Sequence, residues 1–333
     1  MEMKKYLVIQ TASIGDVILS TSIAEKLRAT DSSCQIDYLI KKGNEGVFYG
    51  NMNINELFIW DKKKDKYKNL LTIIFQIQNE KYDAVFNLQR FFSSGMVTLF
   101  SGAKKTYGFK KNPLSLFFSK SFPHEYKEDW HEINRNHQLI NHLTDEEPAL
   151  PKLYPTKKDN AKMSIHKTKP YITITPASLW FTKQYPYEKW VELLKALPHH
   201  LHVYFLGGPD DSSLCNQLIK ESGYVNAMNF AGKLSFVESA TLMKDALMNF
   251  VNDSAAQHIA SSVNAKTTTL YCSTVASFGF GPLSEDAVII ETKETLKCRP
   301  CGIHGHQSCP EGHFKCGLNI DTEQLLNRIQ DAN

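Results

Sequence analysis

Short apolar runs alternate with segments of helical periodicity along the chain. The first half contains three runs that predict strands: Tyr6–Gln10, Gln35–Ile40 and Ala84–Leu88. Between the first two runs, Leu19, Ile23 and Leu27 recur at every fourth position and share one face of a helix. That helix is predicted over Asp16–Arg28. A strand, a helix and a strand in this order indicate a βαβ unit of a parallel sheet.

The same alternation resumes in the second half. Its predicted strands are Tyr171–Thr175, His202–Leu206, Met248–Asn252 and Thr267–Tyr271, and its predicted helices are Tyr187–Leu197, Ser212–Glu221, Val237–Leu247 and Ser254–Val263. Residues 145–168 contain several prolines and lysines and little hydrophobic periodicity, which is typical of a linker. We therefore predict an α/β protein with two doubly wound domains, residues 1–165 and 166–333. Facing each other, such domains would bind ligands at their strand carboxyl ends.

Composition supports this prediction and excludes other classes. The 333 residues are 42% hydrophobic and 22% charged with a net charge of +3, which argues against a disordered chain and against a strongly basic nucleic-acid binder. No apolar run approaches the ~18–20 residues that span a bilayer, and the start reads as a strand rather than a signal peptide. We expect a cytoplasmic protein. Residues 1–165 hold 24 basic and 19 acidic side chains, so the basic excess lies in the first half.

A loop of small residues follows the first predicted strand. It ends at Gly15, where the absence of a side chain lets the backbone approach a ligand closely. Asp16 then lies in the first turn of the next helix. One interpretation is that Ser13 and Asp16 simply cap this helix. The other is that Asp16 is a general base directed toward the ligand site.

Two loops of the second half carry further candidates. Ser178 and Lys183 follow a predicted strand, where a hydroxyl and a point charge suit a diphosphate, although a solvated surface lysine is equally compatible. Asp253 and Ser254 precede a predicted helix, and His258 lies one turn into it. These residues could hold an anion at the helix terminus. Alternatively, they form an ordinary cap beside a buried histidine.

The absence of several motifs and the clustering of the cysteines bear on whether the protein binds a cofactor or a metal ion. The chain lacks the dinucleotide fingerprint, the ATPase phosphate loop and an Asp-x-Asp pair that would hold a divalent ion, so we expect neither a cofactor nor a catalytic metal. Four of the seven cysteines lie in one tail segment: Cys298, Cys301, Cys309 and Cys316. With three interleaved histidines they offer zinc ligands, but their spacing is irregular. A structural metal and a loop of reduced cysteines both stay open.

In this order, the motifs resemble those of glycosyltransferase family nine, the ADP-heptose:lipopolysaccharide heptosyltransferases. The segments that carry the resemblance are Ser13–Leu19, Tyr82–Gln89, Lys183–Pro186, Phe230–Ser235, Asp253–His258 and the tail Cys298–Cys316. The resemblance implies a GT-B fold of two Rossmann-like domains. It also implies metal-independent, inverting transfer of a heptose from ADP-heptose to an anionic lipopolysaccharide acceptor, with peripheral contact to the inner membrane.

The same resemblance implies individual residue roles. Asp16 is the implied base and Lys183 stabilises the leaving diphosphate. The implied donor contacts are Ser13, Gly15, Ser178, Lys183, Asp210, Leu234, Asp253, Ser254, Ala255 and His258. Acceptor binding falls to the first domain and donor binding to the second.

Three positions depart from the family pattern. Ala255 replaces a glycine, Gln257 a methionine and Tyr185 a tryptophan. The departures bear on the identity of the sugar and nucleotide more than on the fold. A transferase with another nucleotide sugar or glycolipid acceptor therefore stays an alternative, as does a non-catalytic nucleotide-sugar-binding protein.

Overall fold

The computed structural model describes residues 3–127 and 130–330 and divides the chain into two compact units. The first unit extends to Tyr154 and the second begins at Pro155. Each contains a six-stranded, fully parallel sheet whose strands are connected largely by helices. The predicted α/β class is confirmed. None of the helices within the described residues is long and apolar enough to cross a bilayer.

The first unit builds its sheet in the order β3-β2-β1-β4-β5-β6. Its strands are β1 (Lys5–Gln10), β2 (Gln35–Lys41), β3 (Glu56–Trp60), β4 (Ala84–Asn87), β5 (Lys105–Phe109) and β6 (Lys120–Phe122), and its helices are α1 (Ile14–Thr30), α2 (Lys66–Glu80), α3 (Phe92–Leu99) and α4 (Glu132–His137). The chain runs outward from β1 to β3 and returns through α2 to β4. The direction of strand order thus reverses between β1 and β4, which creates a crevice at the carboxyl ends of these strands.

Complete burial explains why the central strands of this unit read as continuous apolar runs. Leu7, Val8 and Ile9 of β1 have no exposed surface. Strands covered on both faces are typical of parallel sheets connected by helices. On α2, Leu70 and Ile77 pack into the same core as β1.

The second unit repeats this architecture in the order β12-β11-β10-β7-β8-β9. Its strands are β7 (Tyr171–Thr175), β8 (His202–Phe205), β9 (Ala227–Asn229), β10 (Asn249–Asn252), β11 (Thr267–Tyr271) and β12 (Ala287–Glu291), and its helices are α5 (Lys157–Met163), α6 (Tyr187–Ala196), α7 (Ser212–Ser222), α8 (Phe236–Asp245), α9 (Ala255–Ser261), α10 (Lys315–Leu318) and α11 (Thr322–Gln330). Here the order reverses between β7 and β10. The loops after these two strands therefore flank the second crevice.

Part of the predicted linker is helical. The backbone N–H of Thr156 donates to Asp159 Oδ2 at 2.8 Å, and the Asp159 N–H donates back to Thr156 Oγ1 at 3.3 Å. This reciprocal cap begins α5, which packs on α8 and buries Met163. The helix has one strongly apolar position, so hydrophobic periodicity does not reveal it.

Candidate functional site

A buried ion pair lies at the switch point of the second sheet. Lys183 Nζ is 2.6 Å from Asp253 Oδ2, and the two side chains are only 14% and 8% exposed. Lys183 ends a short turn in the loop after β7, whereas Asp253 directly follows β10. Because β7 and β10 are hydrogen-bonded neighbours, the sheet brings these distant residues together. The ion pair places a cation at the edge where α/β sheets bind ligands.

Two further side chains hold the Asp253 carboxylate. Thr274 Oγ1 donates to Asp253 Oδ2 at 2.6 Å, and Gln257 Nε2 donates to Asp253 Oδ1 at 3.1 Å. Gln257 Oε1 in turn accepts from the Tyr271 hydroxyl at 3.3 Å. Burial raises the pKa of Tyr271, which keeps the phenol a hydrogen-bond donor. Asp253 is thus oriented by donors from the loop after β11 and from α9, the charge-satisfying arrangement that a buried carboxylate requires.

The start of α9 has the capping geometry that one interpretation of the sequence predicts. Ser254 Oγ accepts from the backbone N–H of Ala256 at 3.4 Å. Ala255 is the first residue of the helix, and His258 is buried one turn later. Capping therefore accounts for the conformation of Ser254. The capped residue still lies next to Asp253, at the end of β10.

A wholly buried asparagine fixes the loop that carries Ser178 and Lys183. Asn252 Oδ1 accepts from the backbone N–H of Tyr185 at 2.9 Å, and Asn252 Nδ2 donates to the Pro176 carbonyl at 2.8 Å. Asn252 is completely buried at the end of β10. Sequence reasoning placed Asn252 at the end of a predicted strand but assigned it no role, although an asparagine that ends an apolar strand is a detectable signal. One amide thus attaches both ends of the loop to β10.

The loop after β8 contains two aspartates whose surroundings differ. Asp211 Oδ2 accepts from the backbone N–H of Gly208 at 2.7 Å. A Cβ atom on Gly207 would lie 2.7 Å from the same oxygen, so this close approach requires glycine. Asp211 therefore supports the turn, whereas Asp210 is exposed at its surface.

A second turn packs against this loop. The backbone N–H of Gly232 donates to the Gly207 carbonyl at 2.9 Å, and a Cβ on Gly232 would lie 2.7 Å from Pro209 Cα. Gly232 also has a φ of +75°, which favours glycine. The contact joins the segment that contains half-buried Leu234 to the turn that contains Asp210. The predicted donor residues of this unit thus follow four adjacent strands: Ser178, Lys183, Asp210, Leu234, Asp253, Ser254, Ala255 and His258.

The cysteine-rich tail joins this site through Thr182. The backbone N–H of Thr182 donates to the His306 carbonyl at 3.1 Å, and the His306 N–H donates to Thr182 Oγ1 at 2.8 Å. Ser273 Oγ also donates to Thr182 Oγ1 at 3.0 Å. At Gly305, a Cβ would lie 3.3 Å from Lys183 Cγ. The tail therefore packs directly against the turn that carries Lys183.

The cysteines themselves are all unpaired thiols. Burial, together with neighbouring cysteines of the tail, raises the pKa of Cys301 and raises that of Cys316 to about 11. Neutral thiols pack without a counter-charge. In the part of the chain that the structure describes, no group of three or more histidine, cysteine, aspartate or glutamate side chains is arranged to hold a metal ion.

Asp16 lies at the switch point of the first sheet. Its Oδ2 atom accepts from the backbone N–H of Ser13 at 3.2 Å and also from the Ser13 hydroxyl. Asp16 is half-buried, Ser13 is exposed and Gly15 is buried. The capping interpretation again describes the geometry. Ser13, Gly15 and Asp16 belong to the first unit, whereas the other predicted site residues belong to the second.

Two partly buried lysines lie at the same sheet edge as Asp16. Burial, together with the positive charge of Arg90, lowers the pKa of Lys111 to about 8, although the negative charges of Glu132 and Asp16 act in the opposite direction. Lys62 Nζ donates to the Thr11 carbonyl at 2.8 Å, and burial likewise lowers the pKa of Lys62 to about 8. Sequence reasoning placed both lysines in basic clusters of the first half, but it did not predict their partial burial. The two lysines add positive charge to this edge of the first sheet.

Comparison with known proteins identifies the family. The model of glycosyltransferase family 9 (heptosyltransferase) matches residues 71–309, a range that includes Lys183 and Asp253 and excludes Asp16. Lipopolysaccharide heptosyltransferase 1 of Campylobacter coli is 23% identical over 294 residues, which cover 81% of this chain and 84% of that protein.

Two solved structures share the fold over nearly the whole chain. A family 9 glycosyltransferase from Veillonella parvula superposes with a TM-score of 0.86 at 22% identity, covering 100% of this chain and 98% of the other. The E. coli ADP-heptose lipopolysaccharide heptosyltransferase II superposes with a TM-score of 0.80 at 19% identity, covering 98% of each chain. The predicted GT-B fold is confirmed.

Proposed function

The chain belongs to glycosyltransferase family 9, and from this membership we propose that it transfers a heptose from ADP-heptose to a lipopolysaccharide core acceptor. The observation that carries the proposal is the Lys183–Asp253 pair at the switch point of the second sheet. Relatives described as lipopolysaccharide heptosyltransferases support the choice of sugar and acceptor.

In this proposal the second unit binds the donor. The Lys183 ammonium has three N–H donors, and Asp253 engages one while holding the side chain in place. The remaining donors, with the hydroxyls of Ser178 and Ser254, suit diphosphate oxygens. Exposed Asp210 would accept from a nucleotide hydroxyl, and Leu234 would contact the base.

The first unit supplies the base in this scheme. Asp16 removes the proton of an acceptor hydroxyl as its oxygen attacks the anomeric carbon. The bond from that carbon to the diphosphate oxygen breaks, and the nucleoside diphosphate leaves with the electron pair, so the configuration inverts. Lys183 stabilises the charge that develops on the leaving oxygen. Ser13 orients the Asp16 carboxylate through two hydrogen bonds.

An anionic glycolipid suits the surroundings of Asp16. Lys62, Lys111 and Arg90 contribute positive charge at this sheet edge. We therefore propose that the acceptor's phosphorylated headgroup binds to the first unit. Transfer would then take place at the cytoplasmic face of the inner membrane, with the enzyme bound peripherally.

The Asp16→Asn variant tests the assignment of the base. Because asparagine cannot accept the proton, transfer should fall by ~10²–10⁴-fold, whereas ADP affinity should change less than about twofold, since Asp16 contacts no donor group in this scheme. Transfer would be measured with extracted core glycolipid, and ADP binding by calorimetry. Asp31→Asn, at the other end of α1, is the matched control. Transfer by Asp16→Asn at the wild-type rate would falsify the assignment.

Donor identity is tested separately, because Ala255 and Gln257 depart from the family pattern beside Asp253. ADP-, GDP- and UDP-sugars would be compared by thermal shift. A ligand present at ~100 times its dissociation constant stabilises the fold by about 2.7 kcal/mol. We expect the largest shift with ADP-heptose. A larger shift with another nucleotide sugar would favour the alternative transferase, and donor binding without transfer would favour a non-catalytic binding protein.

A further inference from the structure

Helix α2 exposes an unusual apolar stripe. Tyr67, Leu71 and Phe75 are 72%, 54% and 64% exposed, and their spacing of four residues places them on one side of the helix. Single exposed apolar side chains are common on protein surfaces. Three large ones in line form a continuous patch, which in soluble proteins marks an interaction surface.

The core of the first unit does not need this stripe. On a neighbouring face of α2, Leu70, Ile73, Ile74 and Ile77 are buried in the core of the unit. These four residues already anchor the helix. The exposed stripe therefore adds no packing within the unit. Exposure of its apolar side chains to water is unfavourable, so we expect another surface to cover them.

Lysines surround the start of the stripe. Five lysines and one aspartate occur between positions 62 and 68. Four of these lysines are exposed: Lys63, Lys64, Lys66 and Lys68. Lys66 Nζ lies 5.3 Å from the centre of the Tyr67 ring, so charge and aromatic surface are presented together. We define the α2 patch as these four lysines with Tyr67, Leu71 and Phe75.

The basic end of the patch lies at the sheet edge that holds Asp16. The adjacent Lys62 donates to the Thr11 carbonyl and, at 3.1 Å, to the Thr11 hydroxyl. Thr11 begins the loop that ends at Ser13, directly before the first turn of α1, which contains Asp16. A membrane that contacts the α2 patch would thus lie beside the edge where the acceptor is proposed to bind.

We propose that the α2 patch docks the first unit onto the surface of an anionic lipid bilayer. Aromatic and aliphatic side chains enter the headgroup boundary, while lysines interact with lipid phosphates. A second copy of the chain is a poorer occupant. A two-fold contact through this patch would gather eight lysines, four from each copy, in one interface, and like charges repel.

Vesicle co-sedimentation of the full chain tests the docking surface. Vesicles of phosphatidylglycerol and phosphatidylcholine would be compared with vesicles of phosphatidylcholine alone. We expect binding to the anionic vesicles only. Replacing the four patch lysines with glutamine should weaken it at least about tenfold, since each lysine near an anionic surface contributes several-fold to affinity. The triple variant Tyr67→Gln, Leu71→Gln, Phe75→Gln should weaken it similarly.

Matched controls come from the second unit. Lys157, Lys158, Lys195 and Lys220 are exposed, and replacing these four with glutamine changes net charge equally. Ile165→Gln, Val225→Gln, Met228→Gln removes comparable exposed apolar surface. Both controls should bind anionic vesicles as the wild type does. Thermal unfolding of every variant would establish that the fold is intact.

Three results would overturn the proposal. These are absence of wild-type binding to anionic vesicles, unchanged binding by either patch variant, and equal loss in the controls. Dissociation of a dimer by the apolar variant without loss of vesicle binding would instead assign the stripe to a protomer interface. The inference extends the proposed function, but the vesicles contain neither donor nor acceptor. Failure of transfer and failure of docking are therefore separate outcomes.

Discussion

Gln257 illustrates how a single departure from a family pattern can be understood from its contacts. Its amide donates to Asp253 Oδ1 and accepts from the Tyr271 hydroxyl, and the side chain is completely buried. A methionine thioether has no donor and is a weak acceptor. The glutamine thus makes a polar connection between α9 and β11 that methionine could not make.

We predict that Gln257→Met lowers the free energy of unfolding by about 1–3 kcal/mol, because it removes a donor from a buried carboxylate. The measurement is a urea unfolding curve at neutral pH. Gln217→Met is the matched control, since Gln217 is exposed on α7. Equal midpoints for Gln257→Met and the wild type would show that Asp253 does not depend on this amide.

At the scale of residues, sequence reasoning found the loops better than the contacts. Lys183 and Asp253 were both predicted in strand-terminal loops, but their ion pair depends on the adjacency of β7 and β10. Strand order is not encoded in local periodicity. The same limit applies to Asp210 and Asp211, whose difference rests on the close approach of Asp211 to Gly207.

At the scale of elements, the interior strands other than β5 were predicted and the edge strands were not. β7 and β11 match their predicted bounds because both are buried throughout. Edge strands β6 and β9 have three residues each and no fully buried position, so they leave no apolar run. Helix α2 was also not predicted, but here a signal exists. Its buried residues recur at helical spacing, so the sequence pattern could have revealed it.

The contact between the tail and the Lys183 turn gives an element-scale prediction. Gly305 has a φ of +75°, and a Cβ there would lie 2.9 Å from Thr182 Oγ1. Gly305→Ala should therefore displace the tail from Thr182, disturb the neighbouring Lys183 and weaken ADP binding at least about fivefold, the equivalent of ~1 kcal/mol. Calorimetric titration with ADP would measure the effect.

Gly302 offers a closely matched control for this substitution. It has the same φ of +75°, but a Cβ there would meet no atom within 4 Å. Gly302→Ala therefore introduces similar backbone strain without the clash. If both variants bind ADP equally, the effect comes from backbone conformation, and the contact with Thr182 is not needed to position Lys183.

At the scale of the whole molecule, the uneven charge leads to a prediction about salt. The first half of the chain carries the basic excess, including the exposed lysines of the α2 patch. Exposed charges are screened over ~8–10 Å near physiological ionic strength, whereas buried pairs are screened less. Raising the salt concentration should therefore lower kcat/KM for an acceptor embedded in membranes more steeply than it lowers donor affinity. Equal decreases in kcat/KM and in donor affinity would contradict the assignment of acceptor binding to the basic first half.

The fold class and the presence of two α/β halves followed from alternating periodicity over the whole chain, a signal that accumulates with length. Local details inside the predicted linker did not follow from it. Helix α5 depends on the Thr156–Asp159 cap and on packing against α8. Long-range order was thus easier to predict here than a seven-residue helix.

The hydrogen bonds between Thr182 and His306 also set an order of events during protein synthesis. The two residues are separated by 124 positions. At ~5–20 residues per second, the ribosome reaches His306 on the order of ten seconds after Thr182. Strands β7 to β11 can assemble in that interval, but the turn that carries Lys183 still lacks its last partners. Completion of the turn that carries Lys183 therefore waits for His306 to emerge.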